Sequence, residues 1–206
     1  MPPTKYRSFL IFGAPGCGKG TQGSIIAQIP RFHYFSCGDA FRALEARSSL
    51  GQKFVEYSSK GQLVPDEFTI ELWKSQIQAR ISSMAFKPDI DFLWLDGIPR
   101  NPEQAALLEP FCEVLKVFHL SCPDRDELAR RIRKRALKQN RLDDANEAVI
   151  RKRFEIYDTE SKPIIEYYAG RVVHIDASQS PVKVVSDILH EIMILDCWKE
   201  LSKMMV

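Results

Sequence analysis

The sequence predicts an α/β protein built on a doubly wound parallel sheet, on three observations. Short apolar runs alternate with longer amphipathic segments, the runs lack polar alternation, and a glycine-rich turn directly follows the first of them. Strands buried on both faces of a parallel sheet read as continuous apolar runs, and strand–helix alternation places helices over both faces. The 206 residues show no internal repeat, low-complexity tract or Gly/Ser-rich linker, so residues 1–206 are read as one domain.

In chain order, five strands are expected at 8–12, 32–36, 92–95, 114–120 and 172–175. Helical patterns fall at 19–29, 39–60 with a break near Leu50-Gly51, 67–82, 102–109, 124–138, 145–168 and 182–200. Pro102 and Pro123 stand where a first helical turn tolerates proline and mark two helix starts. The last helix shows a buried face at Val184, Val185, Ile188, Leu189 and Ile192, and its end is expected to pack Trp198 on the surface.

Composition narrows the classes of function. The longest stretch free of Asp, Glu, Lys and Arg is 11 residues, far short of the ~20 that span a bilayer. Lys5, Arg7 and Phe9–Phe12 imitate a signal peptide, but the apolar stretch is too short. The five cysteines (17, 37, 112, 122 and 197) are odd in number and contain no C-x-x-C pair. That argues against a disulfide framework and a zinc site, and for reduced thiols in the cytoplasm. Net charge is +2, unevenly placed: residues 125–153 hold 11 Lys and Arg against 5 Asp and Glu. A partner as extended as DNA calls for a more basic chain; a local arginine cluster suits a small, highly charged anion. Neither nucleic acid nor membrane is expected as a partner.

Gly13-Ala14-Pro15-Gly16-Cys17-Gly18-Lys19-Gly20-Thr21 follows the first strand and opens a helix. It nearly fills G-x-x-x-x-G-K-[ST], with Gly20 inserted before Thr21. Small residues let consecutive backbone N–H groups point at phosphate oxygens, a helix N-terminus adds partial positive charge, and Lys19 supplies a mobile cation. The buried run Phe92–Leu95 ends in Asp96, where a carboxylate facing the loop would help hold Mg²⁺, often through water. Cys17, inside this loop, is placed where N–H groups, a helix N-terminus and Lys19 favour a thiolate. The alternative is that it merely fills a small-residue position.

Asp96-Gly97-Ile98-Pro99-Arg100 followed by Gln104 closely resembles the D-G-F-P-R-x-x-x-Q signature of nucleoside monophosphate kinases, adenylate kinases above all. Ser36-Cys37-Gly38-Asp39-Ala40-Phe41-Arg42, Gly61-Gln62-Leu63-Val64-Pro65-Asp66, and Arg141-Leu142-Asp143-Asp144 with Arg151-Lys152-Arg153 agree, in the family's order. The resemblance covers about residues 6–192. It implies a P-loop NTPase-type, doubly wound five-stranded parallel sheet forming a core (1–35, 66–134 and 146–206). A small helical insertion at about 36–65 would close over the monophosphate, and a short lid at about 135–145 over ATP.

The resemblance also implies roles. Gly16, Cys17, Gly18, Lys19, Gly20 and Thr21 would bind ATP phosphates, with Arg131, Arg135 and Gln179 completing that site, and Thr21 and Asp96 would hold Mg²⁺. Arg42 and Arg100 would grip the acceptor α-phosphate. Cys37, Gln62, Leu63, Val64, Gly97, Ile98 and Pro99 would line the AMP pocket, with Gln104 reading the adenine edge. Lys19, Arg100, Arg135, Arg141 and Arg153 would be catalytic, surrounding phosphates in the closed form and, for Arg141 and Arg153, touching AMP as well. Loose phosphoryl-transfer transition states are stabilised by charge and positioning, and planar guanidinium groups grip two phosphate oxygens at once.

Arg131 and Arg135 share a helix face at i, i+4, whereas Arg130, Arg133 and Lys134 read as its solvated side. Asp143 and Asp144 are read as anchoring lid arginines, the alternative being that they open the next helix. His33, His119, His174 and His190 are expected to be structural. Ile98 replaces the signature's Phe, and Cys37 stands where adenylate kinases typically have Thr and pyrimidine monophosphate kinases often Ala. ATP plus AMP giving two ADP, by a monomer, is the implied reaction. A UMP/CMP kinase, which Cys37 and Pro99-Arg100-Asn101 would also fit, and a non-catalytic nucleotide-binding protein stay open.

Overall fold

The computed structural model describes residues 5–139, 141 and 146–204. Five parallel strands form one sheet in the order β2-β3-β1-β4-β5: β1 (Tyr6–Phe12), β2 (Phe32–Ser36), β3 (Phe92–Asp96), β4 (Cys112–Ser121) and β5 (Val172–Asp176). The five apolar runs are these five strands. All of β3 is buried, as its unbroken apolar run requires. Phe9, Phe32, Phe92, Trp94 and Phe118 pack ring against ring through the sheet, with Phe9 at 5.4 Å from Phe92 and Trp94 at 5.3 Å from Phe118. The chain winds to one side of β1 and then the other, which leaves a crevice beyond the strands' C-terminal ends.

Helices α1 (Lys19–Ile26), α2 (Cys37–Arg42), α3 (Ser49–Ser59), α4 (Asp66–Ser82), α5 (Pro102–Leu108), α6 (Arg125–Gln139) and α7 (Glu147–Ile156) follow the expected order. Ser36, Ser48, Asn101 and Asn146 cap α2, α3, α5 and α7, each side-chain oxygen accepting a backbone N–H of the first turn.

Four sequence expectations need correction. The break in 39–60 lies at 43–48, because Ser48 accepts from Gly51 N–H and so places Gly51 in the first turn of α3. Pro123 precedes α6 instead of sitting in it; the carboxylate of Asp124 accepts from Glu127 N–H and starts the helix. The 145–168 segment is not one helix: α7 passes into a π-helical turn (Tyr157–Ser161), then the short α8 (Ile164–Tyr167). The final segment divides into α9 (Pro181–Met193) and α10 (Asp196–Met204). The division swings Trp198 back onto Phe32 and Phe92, at 5.5 and 6.2 Å, so it extends the aromatic core.

Candidate active site

The crevice holds a cavity of about 870 Å³. Its floor is the glycine-rich loop between β1 and α1. Gly18 caps α1 in the left-handed region at φ 101°, a conformation an L side chain adopts only with strain. Lys19 folds back over the loop, its Nζ donating to the carbonyls of Gly13 at 2.7 Å and Ala14 at 3.2 Å. Gly16, Cys17, Gly18, Gly20 and Thr21 complete this wall.

Asp96 ends β3 beside the loop, its carboxylate 8% exposed. Tyr34 of β2 donates from its hydroxyl to Asp96 Oδ2 at 2.9 Å. Burial pushes the Asp96 carboxyl above the ordinary carboxylate range, opposed first by Lys19, then by the Tyr34 hydrogen bond and Arg100. A buried carboxylate on the cavity wall, with the Thr21 hydroxyl on the same wall, suits a hard divalent cation with water between. Among the described residues no group of three or more His, Cys, Asp and Glu side chains could hold a metal by itself.

The acceptor side is built from three segments. Arg42 ends α2 and Arg141 stands beyond the end of α6, and both donate to Asp39 Oδ1 at 3.0 Å. Arg100 follows β3, its Nε donating to the Gly97 carbonyl at 2.9 Å. Gln62, Leu63, Val64, Gly97 and Pro99 line the same cavity. Arg131, Arg135, Arg153 and Gln179 line it too, with Arg131 donating to Glu127 and to the Ala177 carbonyl at 3.0 Å. Among the described residues the wall carries nine Lys and Arg against two carboxylates, Asp39 and Asp96, an electrostatic fit to polyphosphate.

Three expected pocket residues lie behind this wall. Cys37 and Ile98 are 1% exposed and Gln104 is 0% exposed. The Gln104 amide is engaged inside the protein: Oε1 accepts from Arg100 N–H at 2.9 Å and Nε2 donates to Asp66 at 2.7 Å. The Cys37 thiol is pushed up to about 11, burial being the main cause.

Of the two readings of Cys17, its surroundings favour the small-residue one. Its sulfur packs against Gly13, and burial raises the thiol above its ordinary value, outweighing the opposing pull of Lys19. Lys134 is corrected: it lines the cavity, whereas Arg130 pairs with Glu127 and Arg133 with Glu147 on the exposed side. Asp143 and Asp144 lie outside the described residues.

Sequence reasoning gave no role to Tyr34, Asp39, Lys138 or Tyr157, all of which line the cavity. Lys138 stands seven residues after Arg131, the same helix face, and that spacing could have found it. Tyr157 carries no local signal. Its ring is placed by the π-helical turn and its hydroxyl by His119 Nε2 at 2.8 Å.

The family model described as adenylate kinase matches residues 11–173. The chain is similar to the adenylate kinase of Thermus thermophilus, 34% identical over 88% of this chain and 95% of that protein. It is 36% identical to the adenylate kinase of a Cyanothece species over 88% of this chain and 92% of that one. To the adenylate kinase of Kocuria rhizophila it is 37% identical, over 81% and 88%.

Proposed function

The chain belongs to the adenylate kinase family, and from that premise we propose that it transfers the terminal phosphoryl group of ATP to AMP, giving two ADP. The observation that carries this reading is one basic cavity bearing both a phosphate loop with Lys19 and, on separate elements, Arg42 and Arg100.

In this reading Gly16, Gly18 and Gly20 offer backbone N–H groups to the ATP phosphates, and Lys19 leaves the loop carbonyls to follow the migrating phosphoryl group. Arg131 and Gln179 border the ATP end. Arg42 and Arg100 orient the AMP phosphate, while Gln62, Leu63, Val64, Gly97 and Pro99 border its base, backed by Cys37 and Ile98. Gln104, buried behind this lining, meets the base once the acceptor side opens. Arg135, Arg141 and Arg153 gather around the equatorial oxygens, where charge spreads in the transition state. Thr21 and Asp96 would hold Mg²⁺, which arrives with ATP and neutralises phosphate charge. The acceptor phosphate oxygen is already ionised at neutral pH, so the reaction asks no general base of the protein.

Segments 36–65 and 135–145 act as the parts that close over AMP and ATP, on a monomer working in the cytoplasm. Among the described residues no helix is long and apolar enough to cross a membrane.

Coupled turnover with ATP and each of AMP, dAMP, UMP and CMP tests the reading. AMP should give the highest kcat/KM. Faster turnover of UMP or CMP would make the chain a pyrimidine monophosphate kinase, and tight nucleotide binding without turnover would make it a binding protein.

A further inference from the structure

We propose that Asp66 is a positioning residue that sets which bases the acceptor site takes, by fixing the direction of the Gln104 amide. The inference deepens the reading of Gln104 as the base-reading residue and rests on it.

An amide side chain has two acceptor lone pairs on oxygen and two N–H donors on nitrogen. In Gln104 one of each is committed. Arg100 N–H can only donate, so the atom facing it at 2.9 Å is Oε1; the Asp66 carboxylate accepts, so the atom facing it at 2.7 Å is Nε2. Turning the amide over would set oxygen against carboxylate and N–H against N–H. Both contacts are repulsive, and Gln104 is 0% exposed, so no water relieves them.

The same carboxylate orients a second amide. Asn101 Nδ2 donates to both Asp66 oxygens at 3.2 and 3.1 Å, which turns Asn101 Oδ1 to accept Gln104 N–H at 2.7 Å. Asp66 is the first residue of α4 and directly follows the 36–65 segment, while Asn101 and Gln104 cap and begin α5. One carboxylate thus ties the end of the acceptor segment to the turn that carries Arg100.

What remains free on Gln104 is one lone pair on Oε1 and one N–H on Nε2. That pair complements a base with an amino group beside an unprotonated ring nitrogen: the 6-amino and N1 of adenine, and equally the 4-amino and N3 of cytosine. A 6-oxo purine presents the reverse pattern, an oxygen beside a ring N–H. The orientation set by Asp66 therefore selects amino bases over oxo bases, and separating adenine from cytosine is left to the size of the pocket.

AMP and IMP differ at this edge and hardly in shape, so their kcat/KM ratio is the readout. Asp66→Asn keeps the shape but puts an N–H where one acceptor oxygen stood, so Gln104 Nε2 and Asn101 Nδ2 no longer both find good acceptors and Arg100 N–H is left as the main hold on the amide; the AMP:IMP ratio should fall about tenfold. KM for ATP should change little. Gln104→Ala should collapse the ratio as well.

If Asp66→Asn lowers kcat/KM for AMP and IMP equally, or leaves both unchanged, the orienting role is overturned while the reading of Gln104 stands. If Gln104→Ala leaves the ratio at its wild-type value, the reading of Gln104 itself fails. Should Asp66→Asn not fold, Asp66→Ser, which also removes the carboxylate, carries the same expectation and the same refutation.

Discussion

Replacing Tyr34 with Phe removes one oxygen atom and tests the electrostatics of the site at its most buried carboxylate. The ring should stay where it is, because it is wedged against Gly23, where an added Cβ would lie 2.3 Å from Tyr34 Cε2. What is lost is a 2.9 Å bond to Asp96, a carboxylate only 8% exposed. A hydrogen bond to a charged group contributes about 1.5–3 kcal/mol. For a chain of this length that corresponds to a midpoint lower by roughly 3–12 °C.

The pH dependence has a definite sign. Burial raises the Asp96 carboxyl in the folded protein, so its favourable contribution is complete below the unfolded carboxylate value and is lost as pH rises through the folded one. The Tyr34 hydroxyl favours the ionised form and limits that loss. The deficit of Tyr34→Phe should therefore be wider at pH 8 than at pH 5, read from urea unfolding of both proteins without nucleotide. Equal stability at pH 8, or a deficit that widens toward acid, would refute the reasoning.

Two further outcomes follow from the thiols and histidines. A maleimide should label Cys197, which is half-buried, before the buried Cys17, Cys37, Cys112 and Cys122, and activity should survive that first labelling; early modification of Cys17 with loss of activity would contradict its burial. His119, held down to about 4 chiefly by burial and then by His174, Lys162 and Lys19, supports the fold only while neutral. Its contribution is whole above the unfolded histidine value and is lost as pH falls from there through about 4. Wild-type stability should thus drop by up to about 1.4 kcal/mol per pH unit more steeply than that of His119→Gln across this window. Parallel melting curves would contradict it.

The strands and the phosphate loop were legible because each is written locally: a buried parallel strand is an apolar run, and Gly18 must sit at positive φ directly before Lys19. The division between α9 and α10 was not, since 193–196 contains neither proline nor glycine and the turn is stabilised by Trp198 reaching Phe32 and Phe92, far away in sequence. Cys17 stayed between two readings for a related reason. Its neighbours in sequence are all electropositive features, and only the packing of its sulfur against Gly13 shows that burial decides. Tyr34, 62 residues from Asp96, and Asp39, 102 residues from Arg141, meet their partners only through the sheet and the cavity, so no spacing rule could pair them. Gln104 was found by motif, but its partner Asp66 became visible only with α4 laid beside α5.

The most direct measurement is ³¹P NMR of equimolar ATP and AMP with Mg²⁺ and a catalytic amount of the enzyme. The account predicts that ATP and AMP decline together, two ADP appear for each pair consumed, and no inorganic phosphate forms. Folded Lys19→Ala should slow this conversion by ~100-fold or more. Release of inorganic phosphate from ATP while AMP persists, or undiminished conversion by Lys19→Ala, would contradict phosphoryl transfer between nucleotides at this site.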